Sequence, residues 1–251
     1  MKDALRGARA AFVFLTRFPV GGHPYLPVEW AWAPAAFPLV GLVLGAALAV
    51  LHRLLWPLGS LADASLVLAA SLLMTGALHE DGLADSFDAL GGATDRDRVL
   101  EILKDSRVGS FGACALVVSI VGRAVLLARL GEGARWALPL VASAARVAPV
   151  WQMSLLPYVT RSEAKSAALM AAGPPQAAWA TAWAIGALAV AVTSGGLTMA
   201  RALVLVAMLG ATTIWTARVY AARVGGVTGD FLGATEQCGE LVGYAVLAWA
   251  A

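Results

Sequence analysis

Long apolar runs, each about the length of a bilayer crossing, alternate along the chain with short polar stretches. The runs fall near 34–57, 62–79, 111–130, 136–157, 177–194, 201–221 and 238–251. A hydrocarbon core needs a helix of about 20 apolar residues to cross it. The pattern therefore predicts an all-α, polytopic membrane bundle of about seven transmembrane helices, the last of them short and only partly inserted. Strands of a membrane barrel would show as short alternating segments instead. Pro57 with Gly59, Gly131 with Gly133, and the Gly173-Pro174-Pro175 run mark turns between segments. No internal repeat or low-complexity linker interrupts the pattern, so residues 1–251 read as one membrane-embedded domain.

The start of the chain departs from that pattern. Leu5, Ala8, Phe12 and Leu15 recur at helical spacing, with Lys2, Arg6 and Arg9 mostly off that face. Arg17 and Pro19 interrupt the apolar patch and no small-residue cleavage site follows, which argues against a secretory leader. A short amphipathic helix lying at the membrane surface is expected.

Composition agrees: 60% of residues are hydrophobic and 14% charged, with mean hydropathy +0.76. A soluble domain is nearer a quarter charged. The net charge of +2 says little about nucleic acid, and none is expected as a partner. Cys114 and Cys238 lie far apart in apolar surroundings without a Cys or His neighbour, and read as packing residues. The placement of charge says more than its sum. Polar stretches on the N-terminal side of the membrane hold Lys2, Arg6, Arg9, Arg17, Arg96, Arg98, Lys104, Arg107, Arg161, Lys165, Arg218 and Arg223, against Arg53, Arg129, Arg135 and Arg201 on the other, twelve to four. That bias places the N-terminus, and with it 79–110, 158–176 and 224–237, in the cytoplasm.

Negative charge concentrates at "HEDGLADSFDALGG", residues 79–92, where Glu80, Asp81, Asp85 and Asp88 have only His79 beside them. On a helix continuing from the second segment, Asp81, Asp85 and Asp88 fall at i, i+4 and i+7 and share one face. Like charges so spaced destabilise a helix, and carboxylates near a bilayer are costlier still. Protonation, a basic partner or a bound cation would compensate them. Oxygen ligands without thiolates or a histidine pair suit Mg²⁺, which takes one or two carboxylates and completes its shell with water and phosphate. Gly91-Gly92 ends that helix, and Thr94 or Asp95 starts another whose apolar face is Val99, Leu100 and Leu103. Asp97, Glu101 and Asp105 form a second acidic row beside Lys104 and Arg107. Folded back as a cytoplasmic hairpin, the two helices present carboxylates and cations together, as a phosphoanhydride requires. The bland alternative is a solvated face with surface salt bridges, more plausible for the second helix than for the first.

A second stretch, "GGVTGDFLGATEQCGEL" at 225–241, is glycine-rich and adds Asp230, Glu236 and Glu240 on the same side. Taken alone it reads equally well as an interhelical turn or as a backbone cradle for phosphate. Arg146 lies within an apolar segment, where it needs the site or an acidic partner to face. From the residues alone the reading is metal-assisted phosphoryl transfer at a cytoplasmic membrane face.

"LHEDGLADSFDALGG", "LEILKDSRVGSFG" and "GGVTGDFLGATEQCGEL", in this order, resemble the cobalamin synthase family, the adenosylcobinamide-GDP ribazoletransferases. "FLTRFPV" and "FPLVGLVLG" resemble that family's opening, so the likeness runs from about residue 11 to 244. "DAL" in place of "DGL" and "ILKDS" in place of "IMKDS" are mild departures.

The resemblance implies a Mg²⁺-dependent transfer of the phosphocobinamide part of adenosylcobinamide-GDP to α-ribazole or its 5′-phosphate. GMP leaves and adenosylcobalamin or its 5′-phosphate forms. On this view Asp81, Asp85 and Asp88 hold the metal, and Glu101 and Asp105 serve a second metal or orient it. Lys104, Asp105, Ser106, Arg107 and Arg146 contact substrate. Asp230, with Gly226 and Gly229, closes the site, and an aspartate or His79 takes the proton of the attacking hydroxyl. The cytoplasmic (inner) membrane is the expected location. Self-association, or contact with other corrinoid-pathway enzymes, is left open. Two other classes compete: a CDP-alcohol type phosphotransferase, whose full Asp/Gly/Arg spacing is not found here, and an ion-coupled transporter. Against the latter, the acids lie at one membrane face and no inverted repeat is evident.

Overall fold

The computed structural model describes residues 2–21, 24–160, 169 and 172–249. Arg161 and Lys165, counted in the charge bias, lie outside the described residues, as do the last two residues of the expected 238–251 segment. The described chain is helical: α1 (Lys2–Leu15), α2 (Pro27–Trp32), α3 (Phe37–Leu55), α4 (Ser60–Thr75), α5 (Leu78–Gly92), α6 (Arg96–Ile102), α7 (Ser110–Leu130), α8 (Ala134–Ala145), α9 (Val147–Leu155), α10 (Pro174–Thr193), α11 (Met199–Val224) and α12 (Gly229–Trp249). Among the described residues the one β-type contact is a parallel bridge between Tyr158 and Val227.

Four runs are long and apolar enough to cross a membrane: Pro27–Leu58, Ser110–Leu155, Pro174–Thr193 and Met199–Val224. The second has 46 residues, about twice what one crossing needs. α7 ends at Gly131, as predicted, and Arg146 separates α8 from α9 inside the predicted 136–157 segment. The punctuation follows the sequence. Proline occupies the first turns of α3 and α10, where its missing N–H goes unneeded.

Two elements differ from the sequence reading. The helix carrying Asp81 does not continue from the second segment: α4 and α5 meet at 91°. Gly76 and Ala77 both take left-handed backbone there, at φ 67° and 57°. Ala77 is the non-glycine residue in that region among those described, so the elbow is strained. The last helix begins at Gly229, within the stretch expected to be a loop, rather than at 238. Glycines there signal a close helix crossing. A Cβ at Gly82 of α5 would sit 2.8 Å from the carbonyl oxygen of Asp230 on α12, and one at Gly233 would sit 3.4 Å from the His79 backbone. Small residues at a crossing let two backbones meet without side chains between them.

α12 is the hub of the bundle. It packs against α5, α7, α8, α9 and α11. Tyr220 of α11 stacks on Phe231 with ring centroids 4.2 Å apart, and Thr235 donates to Gln152 of α9 at 3.0 Å. The amphipathic α1 lies against α2 and α3. Leu15 is buried and Phe12 packs on the core, while Leu5 stays exposed.

The predicted hairpin is present. Asp95 caps α6 by accepting from the amides of Asp97 and Arg98, both at 3.1 Å. Val99 and Leu103 bury its apolar face. Two arginines latch the hairpin to the C-terminal end of α11. Arg96 donates to Val224 O at 3.0 Å, and Arg223 donates to Leu90 O and Ala93 O.

Candidate active site

The start of α5, the start of α12 and the α8–α9 junction meet at one end of the bundle around a cavity of about 150 Å³. His79, Asp81, Arg146, Gly229, Asp230 and Glu236 supply its polar wall, and Phe14, Phe37, Pro149 and Met153 part of its apolar wall. Two of the three acidic motifs named from sequence thus converge, Asp81 from the first and Asp230 from the last. The tight α5–α12 crossing is what brings them together. Asp81 is exposed and Asp85, one turn further, is half-buried.

α5 leaves the axis of α4 at 91° and is not itself one of the four apolar runs. Partial burial, and then the charges of Asp81, Asp230 and Asp88, push the Asp85 carboxyl up to about 6. The carboxylates of this end therefore repel one another and would hold a cation more readily than stand alone. Among the described residues no three His, Cys, Asp or Glu side chains converge as a ready ligand set. Asp81 and Asp230 on one cavity still match what Mg²⁺ asks of a protein, which is one or two carboxylates with water and phosphate completing the shell.

Beneath the cavity lies a charge network that sequence reasoning missed as a unit. Arg123 of α7 is buried, 2.8 Å from Glu240 and 3.0 Å from Glu80. Arg146 is buried as well, 2.9 Å from Glu236 and 3.5 Å from Glu240. Gln237 donates to Glu236 at 3.0 Å, and His79 Nδ1 lies 3.8 Å from Glu236. Three glutamates and two arginines so tie α5, α7, α12 and the α8–α9 junction together. The sequence offered a signal, since Arg123 and Arg146 sit inside apolar segments and Glu236 and Glu240 are i, i+4 on one helix. Arg146 thus has the acidic partner expected of it.

The remaining predicted residues are placed elsewhere. Both oxygens of Asp88 are engaged: one accepts from Gly109 N at 2.7 Å and the other from Gly112 N at 2.8 Å. Asp88 is thereby the cap of α7, supplied from another helix. Glu101 pairs with Arg98 at 2.7 Å, and both side chains are more than half exposed. Arg107 grips Asp105 through Nε at 2.9 Å and Nη2 at 2.6 Å. That pairing holds the Asp105 carboxyl down at about 2 and raises the Arg107 guanidinium further. Lys104 and Ser106 are exposed, and none of Glu101, Lys104, Asp105, Ser106 or Arg107 lines the cavity. Gly226 has a local reason to be glycine: a Cβ would overlap Pro157 O beside the Tyr158–Val227 bridge.

The whole chain has relatives. A family model described as cobalamin-5-phosphate synthase matches residues 7–248. An adenosylcobinamide-GDP ribazoletransferase of Bradyrhizobium diazoefficiens is 39% identical over 247 residues, covering 96% of this chain and 93% of that protein. One of Leptothrix cholodnii is 40% identical, covering 100% and 98%, and one of Sinorhizobium medicae is 39% identical, covering 94% of each. No solved structure matches. With two of its sequence motifs brought to one cavity of a helical membrane bundle and its length matched by these relatives, the chain belongs to the cobalamin-5-phosphate synthase family of enzymes.

Proposed function

We propose that this chain transfers the phosphocobinamide part of adenosylcobinamide-GDP to a ribose hydroxyl of α-ribazole or its 5′-phosphate, releasing GMP. The reaction completes the nucleotide loop of coenzyme B12. The observation that carries the reading beyond family membership is the meeting of Asp81 and Asp230, from motifs far apart in sequence, on one cavity beside Arg146.

Asp81 and Asp230 would hold Mg²⁺ at the mouth of the cavity, with Asp85 supporting from the next turn. Mg²⁺ bound there would neutralise the diphosphate and the charge that grows on the leaving phosphate. The acceptor hydroxyl oxygen attacks the phosphorus nearest the corrinoid. The phosphoanhydride bond breaks, and GMP leaves with the bridging oxygen. The hydroxyl proton passes to a carboxylate of the cavity, with His79 as the less favoured acceptor. The apolar wall keeps competing water away from the reacting phosphorus. Lys104 and Arg107 would bind outer phosphate oxygens if Arg107 exchanges Asp105 for substrate, since both residues lie outside the cavity wall.

The basic bias supports a cytoplasmic position for this end of the bundle, as an inner-membrane enzyme acting on cytoplasmic substrates would need. Purified protein in detergent, given the GDP-activated corrinoid and α-ribazole with and without Mg²⁺, tests the reading. GMP release that requires both substrates and Mg²⁺ is the expected result. CMP release from a CDP-alcohol in place of it, or neither, overturns it.

A further inference from the structure

Arg146 uses only part of its guanidinium. Nη1 takes all of its described partners: Ala142 O at 2.6 Å, Glu236 at 2.9 Å and Glu240 at 3.5 Å. Nε has no hydrogen-bond partner, although the residue is 4% exposed and lines the cavity. The idle Nε–Nη2 edge is the one whose two parallel N–H bonds match a phosphate or carboxylate.

Two helix starts line the same cavity as Arg146. α5 opens at Ala77 without a side-chain cap. Its first ladder bond runs from Asp81 N to Ala77 O at 2.9 Å, so the amides of Leu78, His79 and Glu80 have no partner within the helix. Leu78 and His79 face the same cavity. α12 opens at Gly229, also on the cavity. Thr228 there accepts from Phe231 N at 3.2 Å, which leaves the Gly229 amide uncapped. Free amides at a helix start favour an anion. A cavity of about 150 Å³ far exceeds the 10–15 Å³ or so that one water needs.

We propose that the inner end of this cavity is a phosphoryl subsite, formed by the Nε–Nη2 edge of Arg146, the first turn of α5 and the amide of Gly229. The inference rests on the transferase reading and adds to it an anion-binding pole separate from the Asp81–Asp230 pair. Asp81, Asp230 and Glu236 also face the cavity. Glu236 is already held by Arg146 Nη1 and Gln237. The phosphoryl group therefore lies between the carboxylates that a cation neutralises and the remaining N–H groups of Arg146, whose charge Glu236 and Glu240 already share. Two sources fit this chemistry: a terminal phosphate on the nucleoside acceptor, or one phosphate of the donor diphosphate.

Full-length protein in detergent with Mg²⁺ tests it. Arg146→Lys keeps a charge beside Glu236 and Glu240 but loses the fork. Gly229→Pro deletes one amide at a helix position where proline is well tolerated. Inorganic phosphate, compared with chloride at equal ionic strength, is expected to raise the melting temperature of the parent protein and not of either variant. KM is expected to rise about tenfold to a hundredfold, the loss of a charge-assisted hydrogen bond. A rise confined to the phosphorylated acceptor, and absent for the free nucleoside, assigns the subsite to the acceptor. A rise confined to the donor assigns it to the diphosphate. Parent-like phosphate response and parent-like KM values in Gly229→Pro and in folded Arg146→Lys overturn the proposal. Should Arg146→Lys not fold, Gly229→Pro decides. A parent protein that releases no GMP yet shows the phosphate response would remove the transferase reading and leave the subsite.

Discussion

Arg123 and Arg107 lie sixteen residues apart, and both face carboxylates, in opposite surroundings. Arg123 is 2% exposed between Glu80 and Glu240, which come from two other helices. Arg107 is 87% exposed and its partner is two residues away. The first pair set joins elements distant in sequence and excludes water. The second is local and solvated. Identical residue types thus hold a fold together in one place and decorate its surface in the other. Burial, and not charge count, separates them.

The comparison breaks most visibly at Arg123. Arg123→Leu strands Glu80 and Glu240 in the core, and removing one partner of a buried pair costs about 3–5 kcal/mol. A large drop in melting temperature in detergent is expected. The triple change Glu80→Gln, Arg123→Met, Glu240→Gln is expected to regain much of it, because no lone charge remains. A triple variant no better than Arg123→Leu would show that the network adds more than charge balance.

Asp81 sharpens the contrast from the functional side. Asp81→Asn removes an exposed carboxylate, so melting should hardly change, while GMP release should fall by about 10²–10³-fold, typical of losing one group that stabilises transition-state charge. Unchanged turnover at limiting Mg²⁺ would end its assignment as a ligand. Asp88 stands between the two classes. Asp88→Ala uncaps α7 and is expected to cost about 0.5–2 kcal/mol. Gly109→Ala should act in the same direction, since a Cβ there would lie 2.5 Å from the Asp88 carboxylate.

The smallest effects belong to the solvated pairs. A double-mutant cycle on Arg98 and Glu101 should give a coupling below about 1 kcal/mol that fades in high salt. Asp105 is depressed to about 2 by Arg107. Its folded value is below its unfolded one, so whatever stability it lends is present above about pH 4 and lost as pH falls through 2. An acid titration of Arg107→Ala should show the Asp105 carboxyl return toward its ordinary value.

Local features were legible in the sequence. The Gly-Gly stop of α5, the start of α6 at Thr94 or Asp95, the turn at Gly173-Pro174-Pro175 and the apolar lengths all depend on neighbours within a turn or two. The family likeness also pointed to both halves of the cavity. What periodicity could not show is what crosses a helix face. Asp81 and Asp88 share a face by spacing, yet α12 meets one and the amides at the start of α7 meet the other. Nor could a glycine-rich stretch announce that it is a helix whose two glutamates are neutralised by arginines from other elements. Arg123 and Glu240 stand 117 residues apart, and no local pattern carries that pairing.

The crossing of Gly82 with the Asp230 backbone also sets a timetable. Asp81 and Asp230 are 149 positions apart (230 − 81). At about 5–20 residues per second of synthesis, the first must wait on the order of 10 s for the second. Through that interval α5 and its acidic face exist without α12, Glu80 lacks half the company of its arginine, and the α5–α6 hairpin has nothing to latch onto until Arg223 and Val224 emerge. The Asp81–Asp230 cavity therefore forms only once α12 has been made, and a ribosome that stalls before residue 229 leaves in the membrane a bundle with an open, charged cleft for quality-control proteases to find.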